Sequence, residues 1–212
     1  MHKLNPNLDV NDINKVPLWD LGHEGGITRP INIDNLFNQM VELKNLLNEC
    51  GVKWCLSHGT VLGIIRENSL LAHDDDVDIA LFPSTNLEVF KKGFETIRQE
   101  MRALGYFVPP VGNHKEPINS KNNMPYYDEV FLRDGEKLEG WIFEKKEDYY
   151  IYDFPRCGND LKHPSKYYDK LQEYEWRNEK FFIPNHIDEW LVMMYGPTWN
   201  IEDKNAKYLK QS

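Results

Sequence analysis

Cysteine is scarce in this sequence, and the little there is excludes a good deal. The 212 residues hold three cysteines, Cys50, Cys55 and Cys157. The number is odd and no C-x-x-C pair occurs, so neither a disulfide framework nor a structural zinc site is expected. A reducing compartment is the simpler setting. Long hydrophobic runs are missing as well. No stretch approaches the ~20 apolar residues of a membrane-spanning helix. The opening MHKLNPNLDVNDINKV has no apolar segment of signal-peptide length. These absences predict a soluble, cytoplasmic protein. An excess of positive charge is also lacking: the formal net charge is -9, which argues against nucleic acid as a partner but leaves room for a local basic pocket. There is no internal repeat and no low-complexity linker. What is present suffices for a core, with 41% hydrophobic and 13% aromatic residues in a chain of one-domain length.

Residues 1–31 carry Pro6, Pro17, Gly25, Gly26 and Pro30 and read as an extended N-terminal arm, with one domain over 32–212. In IDNLFNQMVELKNLLNEC, Leu36, Met40, Leu43 and Leu47 share a helical stripe that Gly51 ends. VKWCL reads as a strand, SHGT as a turn, VLGIIRE as a short helix and VDIALF as a second strand. Thr85 and Glu88 have capping-box spacing before a helix whose apolar positions run Leu87, Phe90, Phe94, Ile97, Met101, Leu104. From Tyr126 to Phe154, with a turn at Asp134-Gly135, the pattern predicts three antiparallel strands in a meander. A last helix is expected near HIDEWLVMMYG. The fold class is α/β (α+β).

The stretch LLAHDDDVDIALF crowds Asp74, Asp75, Asp76 and Asp78 against an apolar strand. Side chains alternate along a strand, so Asp76 and Asp78 point to one face and Val77 to the other. Neighbouring carboxylates repel unless a cation stands between them. A divalent, oxygen-binding ion resolves the conflict, and Mg²⁺ (or Mn²⁺) suits a few carboxylates plus substrate phosphates. Glu139, in KLEGWIF, is the candidate third carboxylate. Upstream, Gly59 and Thr60 open the helix after SHGT, where backbone N–H groups suit an anion. The competing reading is a solvated acidic turn.

At this point the sequence resembles a known family. LSHGTVLGIIRENSLLAHDDDVDIALF is similar to the LicD/fukutin signature, a G-T-L-L-G-x-x-R run followed by a W-D-D-D-x-D block. LEGWIFEKKEDYYIYDF and FFIPNHIDEWLVMMYGPTW resemble that family's later segments, in the same order. His73 stands where the family has tryptophan, His58 where a small residue is usual, and Glu139 where aspartate is commoner. The resemblance implies a nucleotidyltransferase-type fold, a small mixed β-sheet with helices packed against it. It also implies a phosphotransferase that moves a phosphorylated group, phosphocholine or a phospho-polyol such as ribitol phosphate, from a CDP-activated donor to a hydroxyl of a glycan or glycolipid acceptor, releasing CMP. Such an acceptor can be membrane-linked and draw the protein to the membrane surface. Two other readings are kept: transfer of the nucleotide itself, and a family member that binds without turnover.

On this reading Asp76 and Asp78 hold the metal, and Glu139 either shares it or takes the acceptor proton. One of Asp74 and Asp75 reaches a metal or acts as base, and the other serves the turn. Arg66 either pairs with donor phosphate or makes a salt bridge to the nearby acids. His58 joins Gly59 and Thr60 on the phosphate side, with a packed histidine as its alternative. Trp141 and the aromatics of MPYYDE are candidates for a cage around choline.

Overall fold

The computed structural model describes residues 31–72, 74, 76–84, 87–108, 128–152 and 161–201. The arm, apart from Ile31, therefore lies outside the described residues, as do the capping-box side chains of Thr85 and Glu88, and His73, Asp75, Cys157 and the MPYY of MPYYDE. The chain runs α1 (Ile33–Glu49), β1 (Lys53–Leu56), α2 (His58–Glu67), β2 (Asp76–Phe82), α3 (Leu87–Ala103), β3 (Asp128–Arg133), β4 (Glu136–Ile142), β5 (Glu144–Lys146), β6 (Tyr149–Tyr152), β7 (Leu161–Pro164), β8 (Gln172–Trp176), β9 (Glu179–Ile183) and α4 (Ile187–Tyr195). This is an α+β protein. Among the described residues no helix is long and apolar enough to cross a membrane.

Four strands form the central mixed sheet in the order β1-β2-β4-β3. β2 and β4 run parallel; the other pairs are antiparallel. Alternation gives the sheet two unlike faces. On the back, Val77, Ile79, Leu81, Leu138 and Phe131 are buried at 2% exposure or less. Helix α1 packs there through the predicted stripe: Leu36, Met40, Leu43 and Leu47 are each at most 2% exposed. Burial of that kind contributes about 1.5–3 kcal/mol per side chain. Asn32 caps α1, its side chain accepting from the Asn35 N–H at 3.0 Å. Gly51, at φ +65, turns the chain out of the helix. Helix α3 covers the same face with Phe94, Ile97 and Met101, and its buried Arg98 forms an ion pair with Glu129 of β3. Leu104, expected to extend that stripe, falls past the end of α3 and is exposed.

Two expectations are corrected here. Helix α2 begins at His58, so the Gly59-Thr60 pair predicted as a turn is already helical. The predicted three-stranded meander is two hairpins in two sheets. β3 and β4 pair around Asp134-Gly135, but the chain leaves the sheet at Phe143. The reason is topological: β4 has β3 on one edge and parallel β2 on the other, so β5 has no free edge to join. Phe143 makes the last bond, its N–H donating to the Leu81 carbonyl at 2.8 Å. β5, β6 and β7 then form a separate sheet, which packs on one end of the front face. Phe82 meets Tyr150 and Tyr168 at ring distances of 5.2 Å each, and Phe143 stacks on Tyr152 at 4.4 Å. The last helix, α4, is anchored by fully buried Trp190, whose Nε1–H donates to the Tyr168 hydroxyl at 2.8 Å.

Candidate active site

The parallel register of β2 and β4 sets Asp76 opposite Lys137, Asp78 opposite Glu139 and Ala80 opposite Trp141. All six lie on the front face, at and beside the end that the second sheet leaves uncovered. Helix α2 runs in against this end. The Ser57 N–H donates to the Asp78 carbonyl at 3.0 Å, and the Asp78 N–H donates to the Thr60 hydroxyl at 2.8 Å. These bonds hold the backbone of β2 to the start of α2.

The Asp78 carboxylate is held from two sides. One oxygen accepts the Gly59 N–H at 3.2 Å, and the other accepts the Trp141 Nε1–H at 3.1 Å. The first bond places a negative side chain at the positive end of a helix. The end of α2 predicted to suit an anion thus carries the protein's own Asp78 carboxylate. Glycine at position 59 leaves room for a second one: a Cβ there would sit 2.2 Å from Asp74 Oδ2. Asp74, Asp76 and Asp78 each bring a carboxylate oxygen within 4.8 Å of the others, so the three could hold a metal ion. Their mutual repulsion is visible in Asp78. Burial first, and then Asp76 and Asp74, push its carboxyl well above the usual carboxylate range, against the pull of Trp141 and Lys137.

Glu139 is buried and faces the same way, but it is Asp74 that converges with Asp76 and Asp78. The Glu139 carboxylate accepts from Lys137 Nζ at 3.1 Å, and the same ammonium lies 2.6 Å from Asp76 Oδ2. His58 stands at the seam between the two halves of the front face. Its Nε2 is 2.7 Å from the Tyr152 hydroxyl, and its buried Nδ1 has no hydrogen-bond partner among the described residues. Burial lowers its pKa to about 4, with Asp76 opposing, so the ring is neutral near pH 7. Its φ of +42 lies in the left-handed region, unusual for a residue with a side chain. Arg66 sits seven residues along α2 from Gly59, roughly 10 Å of helix rise. Its partners among the described residues are Glu67 and the Trp199 carbonyl, in place of the expected acids of the cluster. Asp75 lies outside the described residues.

Lys137 and the role of Trp141 were not foreseen from the sequence. The signal was present: once Glu139 is on a strand, alternation puts residues 137 and 141 on its face. Trp141 is buried and bonded to Asp78, which makes it a holder of that carboxylate rather than an open wall of a choline cage.

Residues 51–186 match the family described as "LicD/FKTN/FKRP, nucleotidyltransferase domain". The chain belongs to the LicD family. The match spans every residue of the carboxylate site and the sheet that carries it, while α1 lies before it. A curated relative, an uncharacterized protein of Rickettsia typhi, is 23% identical over 176 residues, covering 82% of this chain and 45% of that protein. This LicD-family chain thus spans about half the length of the curated relative it matches.

Proposed function

We propose that this chain is a cation-dependent phosphotransferase that moves a phosphorylated group from a CDP-activated donor to a hydroxyl of a glycan or glycolipid, with release of CMP. The observation that carries the reading is the convergence of Asp74, Asp76 and Asp78 within 4.8 Å, in a chain of the LicD family. A divalent cation fits these residues. Their donor set is all carboxylate oxygen, which suits Mg²⁺ or Mn²⁺. Burial, with repulsion from Asp76 and Asp74 added to it, raises the Asp78 carboxyl, and position 59 lacks the Cβ that would displace Asp74.

Asp74, Asp76 and Asp78 would hold the cation, which when bound neutralises the donor diphosphate and stabilises the departing CMP. Gly59 and Trp141 aim the Asp78 carboxylate, and Thr60 fixes its backbone. The acceptor oxygen bonds to the distal phosphorus of the donor as the bond to the CMP oxygen breaks, and the hydroxyl proton leaves to a base. The site accepts its substrates in the cytoplasm, at the membrane surface where the acceptor is lipid-linked.

The test is incubation of the full chain with Mg²⁺ or Mn²⁺, nucleotide-activated donors carrying choline or polyol phosphates, and candidate glycans. CMP release that requires both cation and acceptor is the expected result. Pyrophosphate release from a nucleoside triphosphate would show instead that the nucleotide itself is transferred. Absence of any nucleotide product across the panel would leave a binding protein.

A further inference from the structure

The reading above gives Lys137 no part, yet its ammonium sits at the centre of the charged end of the sheet. Its side chain is 10% exposed, and Nζ lies 2.6 Å from Asp76 Oδ2 and 3.1 Å from Glu139 Oε2. The cause is register: Lys137 faces Asp76 across the parallel pair, and Glu139 follows two residues later on the same face. A buried ammonium is costly unless it is paired, and this one has two carboxylates beside it among the described residues. One of them, Asp76, belongs to the set that converges for a cation. A divalent ion arriving there meets a carboxylate already in contact with a positive charge, and the two cations repel across it.

We propose that Lys137 is a positioning residue that tunes the cation site: it holds Asp76 in place before a cation arrives, and it weakens cation binding so that the ion is taken up together with an anionic ligand. This inference rests on the cation reading. It separates Lys137 from a merely structural ion pair, for which the molecule offers a comparison. Arg98 and Glu129 form an equally buried pair on the back face, away from the aspartates.

Mn²⁺ titrated by calorimetry into the metal-free full chain, with no nucleotide present, tests it. Lys137→Met binds Mn²⁺ roughly tenfold or more tightly than the wild type, and its melting temperature without metal falls but recovers on adding Mn²⁺. Lys137→Arg, which keeps the charge, stays within roughly threefold of the wild type. Arg98→Met loses stability and leaves Mn²⁺ affinity unchanged. Added CDP tightens Mn²⁺ binding in the wild type by a larger factor than in Lys137→Met. Should Lys137→Met not fold, Lys137→Gln takes its place; failure of both to fold even with Mn²⁺ overturns the proposal and leaves the lysine as scaffold. Wild-type binding with no gain in Lys137→Met overturns this inference alone. If no variant binds Mn²⁺, the cation reading itself fails and takes this one with it.

Discussion

The front face of the central sheet has two halves built from the same strands. Over Asp76, Asp78, Lys137 and Glu139 the polar groups answer one another and the N-terminus of α2. Two residues further along, Ala80, Phe82 and Trp141 pass under an aromatic layer in which Tyr150, Tyr152 and His163 of the second sheet interlock with Phe143 and Tyr168. One half stores unfavourable charge, and the other is close-packed. Trp141 and His58 stand at the boundary, each with one ring in the aromatic layer and one polar atom at or beside the carboxylates. Rigidity comes from the packed half, which fixes the strand ends on which the charged half depends.

The two halves should fail differently. Asp76→Asn or Asp78→Asn should reduce CMP release by roughly a thousandfold or more, while in Asp78→Asn, which leaves the Lys137–Asp76 pair intact, the melting temperature of the metal-free protein stays level or rises as repulsion is relieved. In the packed half, Phe143→Ala should cost about 3–5 kcal/mol of stability, read by urea unfolding, with turnover per folded molecule changed far less. Equal loss of activity and stability in both variants would erase the distinction. At the boundary, Trp141→Phe keeps most of the ring and removes the bond to Asp78. It should lower turnover roughly ten- to a hundredfold and cost about 1–2 kcal/mol.

The packed half also carries a pH signature. Burial lowers the His163 pKa from 6.5 to about 3, with His58 adding to the shift. A depressed histidine stays neutral when folded but takes up a proton when unfolded. Its contribution to stability is therefore complete above about pH 6.5 and is lost as pH falls toward about 3. The limiting slope for one group is about 1.4 kcal/mol per pH unit. His163→Phe should flatten the decline in unfolding free energy between roughly pH 6 and 5 by part of that slope. The smallest effect is expected from Arg66→Lys. With Arg66 on Glu67 and Trp199, activity should stay within roughly twofold, where a bidentate phosphate clamp would lose roughly ten- to a hundredfold.

Much of this was legible in the chain. The stripes of α1 and α3, the Asp134-Gly135 turn and the same-face pair Asp76 and Asp78 follow from periodicity, which local sequence carries directly. The rest depends on which strands become neighbours. Parallel pairing of β2 with β4 brings Lys137 to Asp76 and sends the chain out of the sheet at Phe143, and no local pattern encodes it. The β8–β9 hairpin turns on Arg177 and Asn178, both at positive φ, where the usual glycine signal is absent. Asp74 joins the cluster beside Gly59, where a Cβ would clash with its carboxylate; the expectation of a third carboxylate on a neighbouring strand pointed to Glu139 instead.

On this reading the third oxygen for the cation comes from Asp74, with Glu139 held by Lys137. The decisive measurement is Mn²⁺ titration of metal-free Asp74→Asn beside Glu139→Gln. Asp74→Asn should lose Mn²⁺ affinity by roughly tenfold or more, while Glu139→Gln stays within severalfold of the wild type. Loss in Glu139→Gln with normal binding in Asp74→Asn would contradict it.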